Sequence, residues 1–375
     1  MHRNLSIYLD LIRFLAAAMV FVVHANYERF TGGLPVLWRF KDLGNDAVMV
    51  FFVLSGFVIA HVAAHKERTI EEYAASRFAR LYSVALPALI LTMALDAAGS
   101  RLDPSLYTGR WYEYDAPLVR ILGALTFSNE LWFSYIRPFS NGPYWSLGYE
   151  VWYYVLFGAA HFLRGKTRVA AVTVISLLIG PKILLLLPVW LLGVWAYRRC
   201  MTSTISVGAG LALFFGSIAL YLAFRLAEGP HYLLELSEQW LGKDFLYDDL
   251  SWSRRFLASF LIGTCVAANF IGAAALAPHL RRAPALLERP IRYVAGFTFA
   301  LYLLHYPLVQ FFAALTPAAG LEEHRAAFVA LGSLAVVWLL GGSIERQKEP
   351  LKAMFLTWLD HRPRPSPAIR SLRTR

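Results

Sequence analysis

The chain has 375 residues, of which 58% are hydrophobic and 16% charged, and its formal net charge is +11. Soluble domains are roughly 45–50% apolar and about 25% charged, so a soluble fold of this length has no interior large enough for these side chains. The two cysteines, Cys200 and Cys265, exclude a disulfide framework. The basic residues are spread over short loops rather than one patch, which excludes a nucleic-acid partner. The composition therefore predicts an integral membrane protein.

Ten segments are apolar enough to be membrane spans, since a helix needs about 20 mainly apolar residues to cross a bilayer. We therefore predict an all-α, polytopic membrane helix bundle of about ten transmembrane helices. The predicted spans are residues 7–27, 46–64, 81–98, 144–163, 169–181, 183–198, 204–225, 256–276, 293–316 and 326–345. Two are short and are separated by Pro181 and Lys182, as expected of a tilted pair or a broken hairpin.

The first span also resembles a secretory signal peptide, because His2 and Arg3 precede an apolar run. Asp10 and Arg13 interrupt that run, and no clear small-residue cleavage site follows it. These features favour a retained membrane helix.

A further apolar stretch, residues 118–133, contains Arg120, Asn129 and Glu130. Non-helical backbone at membrane depth survives only where it is buried in protein or faces a cavity. We expect this stretch to be a re-entrant or interfacial segment rather than a full span.

The distribution of basic residues predicts the orientation. With ten spans both termini lie on one side, and 22 of the 36 Lys and Arg residues fall on that side, against 13 on the other. Because basic loops resist translocation, both termini are predicted to be cytoplasmic. Residues 1–345 are predicted to form the membrane domain, and residues 346–375 a basic Pro/Arg tail in the cytoplasm.

A few polar side chains lie inside the predicted spans, chiefly Asp10, Arg13, His24, Glu150 and His305. Such residues are costly at membrane depth and often mark a functional site. The alternative for any one of them is a structural hydrogen bond to a neighbouring helix. Several on the same few spans favour a site.

The first span carries the most informative spacing. Arg13 and His24 are 11 residues apart, so they share one helix face about 16.5 Å apart along the axis. Asp10 precedes Arg13 by three residues and can pair with its guanidinium. A cation near one end and an imidazole near the other are thus aligned along a possible channel. Histidine is the side chain best suited to proton transfer near neutral pH.

Five segments together resemble the acyltransferase-3 family of bacterial membrane O-acyltransferases, and they occur in the family's order. They are LDLIR at residues 9–13 followed by His24, FFVLSGFVI at 51–59, RFAR at 77–80, YWSLGYE at 144–150 and LYLLHYP at 301–307. Two positions depart from the family pattern. Val151 stands where a second acidic residue is common, and Ala300 where serine is usual. Many relatives also append an esterase-like domain, which we do not expect here.

The resemblance implies transfer of an acyl group, usually acetyl, from cytoplasmic acyl-CoA to a hydroxyl. Acceptors in the family include cell-surface glycans, lipid-linked sugars and secreted metabolites. It also implies a bacterial cytoplasmic (inner) membrane location. We expect acyl-CoA, a carbohydrate or lipid-linked acceptor and the lipid bilayer to be the partners, and no metal, since the carboxylates lack metal-ligand spacing.

The resemblance also suggests roles for individual residues. Arg77 and Arg80, with Arg13, are expected to bind the phosphates and arm of CoA; snorkelling arginines are the alternative for Arg77 and Arg80. His24 is expected to deprotonate the acceptor hydroxyl or to be transiently acylated.

Glu150 is expected at a depth similar to that of His24, where it could orient the imidazole ring. Asp10, Trp145, Tyr302 and His305 are expected to support the site or line the channel, although His305 is as readily explained by structural hydrogen bonding.

Two other functions are compatible with these residues. A secondary transporter would also place Arg, His and Glu at membrane depth, but the sequence shows none of the internal repeats common in transporters. A flippase-like protein without covalent chemistry is the second alternative.

Overall fold

A computed structural model describes residues 1–33, 41–109, 112 and 114–360. Within these ranges the chain forms α-helices and short 3₁₀ or π turns, without a β-strand. The helices are α1 (Arg3–Ala25), α2 (Glu28–Thr31), α3 (Leu43–His65), α4 (Ile70–Leu102), α5 (Pro117–Leu125), α6 (Trp145–Phe162), α7 (Gly165–Thr202), α8 (Val207–Leu226), α9 (Gly229–Leu241), α10 (Phe256–Leu276), α11 (Ala285–Ala295), α12 (Thr298–Leu315), α13 (Arg325–Arg346) and α14 (Lys348–Asp360).

Eight segments of the described chain are long and apolar enough to cross a membrane. They comprise α1, α3, α4, α7, α8, the region of α10, α12, and α13 together with α14. The predicted all-helical, multi-pass bundle is therefore confirmed. The predicted span 144–163 corresponds to α6, an 18-residue helix that is not among the eight, because its Trp and Tyr residues and Glu150 lower its hydropathy. The predicted spans 169–181 and 183–198 are the two halves of α7, two helical stretches joined at the non-helical Gly180, which agrees with the break predicted at Pro181 and Lys182.

The kink in α7 lies at Gly180, whose φ of 79° and ψ of 178° are not helical. The following residue, Pro181, disfavours the helical conformation at the position before it. Trp132 compensates for the broken ladder, since its backbone N–H donates to Ile179 O (2.9 Å) and its indole Nε1–H to Leu177 O (3.0 Å). The carbonyls freed by the kink are thus satisfied by protein, as apolar surroundings require.

Residues 118–133 do not form a spanning helix. The nine-residue α5 is followed by irregular backbone that leads to Trp145. This backbone is anchored by buried polar contacts: Asp96 accepts from the Ser140 N–H (3.0 Å) and hydroxyl (2.7 Å), and Lys182 pairs with Glu130 (2.7 Å). Buried polar contacts therefore hold the irregular backbone in place, as non-helical backbone in a membrane domain requires, although the side chains of Trp132 and Phe133 are exposed.

Helices α3 and α7 approach each other closely at two glycines. A Cβ atom at Gly56 would lie 2.1 Å from Trp190 O, and one at Gly193 would lie 1.9 Å from Val53 O. Small residues permit this backbone-to-backbone contact between membrane helices. The pair holds the FFVLSGF segment of α3 against the second half of α7.

The two ends of the bundle are defined by contacts around the termini of α1. At the end that carries the amino terminus, here called the N-terminal face, Arg3 Nε donates to Glu288 (3.0 Å) and Asn4 contacts Ala277 O (3.2 Å). Part of the predicted tail also belongs to this end, because α14 packs on α4 through stacked Phe355 and Phe78 rings (4.7 Å). Residues 361–375 lie outside the described part of the chain.

The opposite face carries the end of α1, the start of α3 and the turn that precedes α10. Arg255 pairs there with Asp42 (3.1 Å), and Arg325 donates to Phe30 O (2.6 Å). The bundle is thus tied across helices at both of its ends.

Candidate active site

Three adjoining cavities lead from the N-terminal face to the opposite face. The N-face cavity, with an empty volume of about 810 Å³, is lined by residues including Lys66, Arg77, Arg80, Lys348 and Lys352. The middle cavity (about 720 Å³) includes Arg13, Ser55, Arg77, Arg80, Glu150 and Tyr302. The His24 cavity (about 990 Å³) includes His24, Tyr27, Trp145, Trp252, Tyr302 and Tyr306.

Neighbouring cavities share wall residues. Arg77 and Arg80 line both the N-face and the middle cavities. Val48 and Tyr302 line both the middle and the His24 cavities. The polar residues on α1, α3, α4, α6 and α12 are therefore arranged along one route through the bundle.

The middle cavity brings three arginines together. Arg13 pairs with Asp10 at 3.1 Å, as the spacing on α1 predicts, and Arg77 pairs with Glu67 at 2.6 Å. Arg80 reaches the same cavity one turn after Arg77 on α4, where its guanidinium lies 5.8 Å from the centre of the Phe299 ring. Several guanidinium groups in a semi-enclosed cavity suit a ligand with multiple phosphates.

The N-face cavity adds lysines to this group. Lys66 comes from the end of α3, and Lys348 and Lys352 come from α14. Glu345 lies among them, but its carboxylate accepts from the backbone N–H groups of Phe299 (3.0 Å) and Ala300 (3.1 Å). That carboxylate therefore caps α12, while the lysines supply cationic groups around the opening.

His24 is paired with His305. The His24 Nδ1 atom lies 2.8 Å from His305 Nε2, and His305 Nδ1 lies 3.0 Å from Leu301 O. A carbonyl can only accept, so His305 carries its proton on Nδ1 and its Nε2 accepts from His24 Nδ1–H. The network thereby assigns the tautomer in which His24 Nε2 keeps its lone pair. His24 lines the His24 cavity, whereas His305 is fully buried.

Aromatic rings fix the orientation of His24. Tyr27 and Tyr306 approach its ring edge-to-face, at 5.3 Å and 5.1 Å between centroids. Arg29 donates to the Tyr306 hydroxyl. Tyr27 lies in the connection after α1, and burial raises the pKa of its hydroxyl, so this group stays protonated at neutral pH. The imidazole is held among neutral rings with few rotamers open to it.

The predicted pairing of Glu150 with His24 is wrong. Glu150 accepts a hydrogen bond from the Tyr154 hydroxyl and lines the middle cavity, among the arginines. His24 lies in the next cavity and is oriented by His305. Counting residues from the start of α6 placed Glu150 near the depth of His24, whereas the structure places it one cavity closer to the N-terminal face. A catalytic role for either residue stays a prediction.

Tyr302 and Trp145 occupy the boundary of the His24 cavity. The Tyr302 hydroxyl lies 2.7 Å from Ser146 Oγ and 3.3 Å from Pro143 O, which fixes its ring between the middle and His24 cavities. Trp145 stacks on Trp252 with 5.0 Å between centroids and 7° between planes. Both indoles line the cavity that contains His24.

Several buried polar residues were given no site role from the sequence. Lys182 and Glu130 form an ion pair with 0% and 1% of their side chains exposed. Asp46 near the start of α3 accepts from Tyr221 (2.9 Å), and Asp96 holds Ser140. An acidic residue inside an apolar run was a usable signal for both aspartates. No signal in the sequence joins Glu130 to Lys182, 52 residues away.

The fold and these cavities define a multi-pass helical membrane protein with a buried histidine dyad at one end of a cationic route. Comparison with known families agrees, because a family profile described as an acyltransferase domain matches residues 6–343. The chain belongs to the acyltransferase-3 family.

Individual relatives share this description. The chain is 29% identical over 227 residues to an O-acetyl transferase of Shigella phage Sf6, which covers 56% of this chain and 62% of that protein. It is 30% identical over 152 residues to the acyltransferase MdmB of Streptomyces mycarofaciens (39% and 36%). It is 43% identical over 96 residues to "Protein 2 in picA locus" of Rhizobium radiobacter (24% and 44%). The chain thus spans less than two thirds of each relative's length, and no solved structure matches it.

Proposed function

We propose that the protein is a membrane O-acyltransferase that moves an acyl group, most simply acetyl, from acyl-CoA to an acceptor hydroxyl. One observation carries this proposal: His24, which is hydrogen-bonded to His305, lines a cavity that adjoins a chain of arginines. The names of two relatives, an O-acetyl transferase and an acyltransferase, support the reaction class.

The donor would enter from the N-terminal face. The phosphates of CoA would be held by the lysines of the N-face cavity and by Arg77 and Arg80. The pantetheine arm would then follow the middle cavity, and Tyr302 marks the point where the thioester would reach the His24 cavity. The excess of basic loop residues at the N-terminal face supports placing that face, with both termini, in the cytoplasm of a bacterial inner membrane.

The reaction uses His24 as a general base. The acceptor hydroxyl gives its proton to His24 Nε2 while its oxygen attacks the thioester carbonyl carbon. The carbon–sulfur bond then breaks, and the CoA thiolate takes the proton back from the imidazolium. His305 Nε2 accepts from His24 Nδ1–H throughout, so it orients the ring and stabilises the charge that forms on it. The products are the acyl ester and CoA.

Transfer from radiolabelled acetyl-CoA in membranes tests this function. We expect labelled acceptor with wild type and with His279→Ala, which removes an exposed histidine, and no labelled acceptor with His24→Ala. Arg80→Ala is expected to raise the concentration of acetyl-CoA needed, while the matched change Arg101→Ala at an exposed position is not. Normal transfer by His24→Ala would refute the general-base role. Absence of acetyl-CoA binding to the wild-type protein would refute the donor.

A further inference from the structure

The His24 cavity carries an excess of positive charge, although it lies at the face opposite the amino terminus. The topology of a membrane protein does not require basic residues at that face. The cavity lining includes four cationic side chains and one carboxylate, Lys41, Arg137, Arg254, Arg255 and Asp42. Basic residues at the N-terminal face follow the topology rule for membrane proteins. The rule gives no reason for arginines at the opposite end, inside a cavity.

The turn that carries Arg254 and Arg255 is built to face the cavity. It is a 3₁₀ segment, Ser251–Arg255, which follows a π turn over Phe245–Asp249. Ser251 adopts a left-handed φ of 49°, a conformation that is costly for a residue other than glycine. Such conformations persist where the surrounding structure fixes them, often at functional sites.

Buried contacts hold this turn in place. The Ser253 hydroxyl is fully buried, donates to Lys182 O at 2.8 Å and lies 2.9 Å from the Tyr149 hydroxyl. The residues on either side of Ser253 therefore project towards the cavity from a rigid base. One of them, Trp252, is the indole stacked on Trp145.

Two donors of this turn have no partner among the described residues. They are Trp252 Nε1 and Arg255 Nε, and both atoms are buried. The Arg255 guanidinium forms an ion pair with Asp42 (3.1 Å), and Arg254 donates one hydrogen bond to Ser251 O (2.9 Å). Buried donors are almost always satisfied in a folded protein, so unsatisfied ones beside a cavity point to a bound acceptor of hydrogen bonds.

We propose that the acceptor substrate carries an anionic group, a phosphate or a carboxylate, which binds Arg254 and Arg255 while the sugar ring lies by Trp145 and Trp252. This inference rests on the proposed function and names the substrate class of the same site. Guanidinium groups bind phosphate and carboxylate oxygens through paired hydrogen bonds. Indole faces pack against the apolar faces of sugar rings. The anion would hold the sugar so that one hydroxyl faces His24.

Three sugars with one ring and different charge test the proposal: glucose, glucuronate and glucose 1-phosphate. Ligand-observed NMR with the full chain in lipid nanodiscs gives the affinity of each. We expect the preferred anionic sugar to bind at least about tenfold more tightly than glucose, since charge-assisted hydrogen bonds are stronger than neutral ones. Which anion is preferred distinguishes a phosphate-bearing acceptor from an acidic sugar.

Variants then assign the preference to the turn. Arg254→Gln/Arg255→Gln is expected to reduce the preference to less than about twofold, and Arg254→Lys/Arg255→Lys to an intermediate value, because lysine keeps the charge but loses the paired geometry. The matched control Arg101→Gln/Lys243→Gln removes two cations at exposed positions and should keep the preference. Unchanged acetyl-CoA binding shows that each variant is folded.

Equal affinity of the wild type for all three sugars, or binding of none, would overturn the proposal. So would a preference that survives Arg254→Gln/Arg255→Gln. A preference that depends on these arginines in a protein that does not bind acetyl-CoA would refute the proposed function and leave the anion site standing.

Discussion

His305 acts on His24 through one hydrogen bond, and this bond decides which nitrogen of His24 is available. The Leu301 carbonyl keeps the His305 proton on Nδ1, so His305 Nε2 accepts and His24 Nε2 stays unprotonated. In a catalytic triad, the third residue orients the ring of the general base and fixes its tautomer, and His305 stands in that position relative to His24. A histidine in that place keeps the dyad neutral before the reaction, which is less costly inside a membrane than a carboxylate.

Replacing His305 should therefore reduce the rate of acyl transfer without weakening the binding of acetyl-CoA. We expect His305→Leu to lower kcat by about 10²-fold or more, the range of general acid–base catalysis, because His24 Nδ1–H loses its acceptor. His305→Gln keeps an acceptor oxygen and should recover part of the loss. Acetyl-transfer rates and acetyl-CoA affinity measured on the same membranes provide the test.

Three outcomes of this experiment distinguish a positioning role of His305 from a general effect on the fold. His279→Leu, an exposed control, should leave the rate unchanged. Weakened acetyl-CoA binding by His305→Leu would indicate a general structural effect, and a wild-type rate would show that His305 does not position His24.

Packing between α3 and α7 depends on the absence of two side chains. A Cβ at Gly193 would overlap Val53 O at 1.9 Å and lie 2.7 Å from Phe57 N, so the helices would have to separate. Backbone atoms cannot turn away as a flexible side chain can. Because the same part of α3 carries Ser55, which lines the middle cavity, separation would also disturb the donor route.

Gly193→Ala should destabilise the protein by roughly 1–3 kcal/mol, the usual cost of overpacking. Gly208 and Gly216 on α8 provide the matched control, since a Cβ at either would meet no atom within 4 Å. Alanine there should be neutral or stabilising, because it favours the helix over glycine. Thermal unfolding in detergent measures the difference, and equal melting temperatures for Gly193→Ala and Gly208→Ala would contradict the packing argument.

Helix α14 gives the N-face cavity two of its lysines, Lys348 and Lys352. CoA differs from 3′-dephospho-CoA only in the phosphate on its ribose, so comparison of the two isolates the contact with that phosphate. We expect Lys348→Gln/Lys352→Gln to weaken CoA binding by about tenfold and to leave 3′-dephospho-CoA binding unchanged, since the lost hydrogen bonds are charge-assisted. Isothermal titration measures both affinities.

The control for α14 is Lys166→Gln/Arg168→Gln, which removes two exposed cations at the start of α7. It should bind both nucleotides as the wild type does. Equal losses for CoA and 3′-dephospho-CoA in the lysine variant would show that α14 supports the fold rather than the ribose phosphate.

At the scale of the whole molecule, the sequence predicts the positions of the helices along the chain better than the contacts between them. Apolar runs of about 20 residues locate most spans, because lipid requires both length and hydropathy. Pro181 marks the break in α7. The span predicted at 293–316 starts too early, since α11 ends at Ala295 and α12 begins at Thr298. Composition does not distinguish the end of one helix from the start of the next when both are apolar.

The same limit applies to the site. Arg13 with Asp10 could be predicted because both lie on one helix, where spacing determines the contact. The contact between His24 and His305, which are 281 residues apart, depends on how α12 packs against α1. Glu150 was assigned to His24 from depth alone, but it lines the middle cavity rather than the His24 cavity and accepts from Tyr154 of the same helix. Contacts between helices require tertiary information that a single sequence does not provide.

An ionic network joins the N-terminal face to the donor route. Glu288 on α11 accepts from Arg3 (3.0 Å) and Arg292 (2.8 Å), Arg292 also reaches Asp10 (2.9 Å), and Asp10 pairs with Arg13 of the middle cavity. Hydrogen bonds from Arg3 and Arg292 lower the pKa of Glu288 from 4.5 to about 2. The network therefore links folding to pH through a group outside the spans.

The lowered pKa of Glu288 determines how the stability of the protein changes with pH. A carboxyl whose pKa is lower in the folded state stabilises the protein above its unfolded pKa, and the contribution is lost as pH falls from about 4.5 towards about 2. Wild type should thus melt at a higher temperature than Glu288→Gln at about pH 7, and the gap should narrow by about pH 3. The control variant Glu323→Gln, at an exposed position, should melt at the same temperature as wild type at both pH values. A gap for Glu288→Gln that stays constant between these pH values would mean that the carboxylate charge contributes nothing, and that the amide merely fits this position less well.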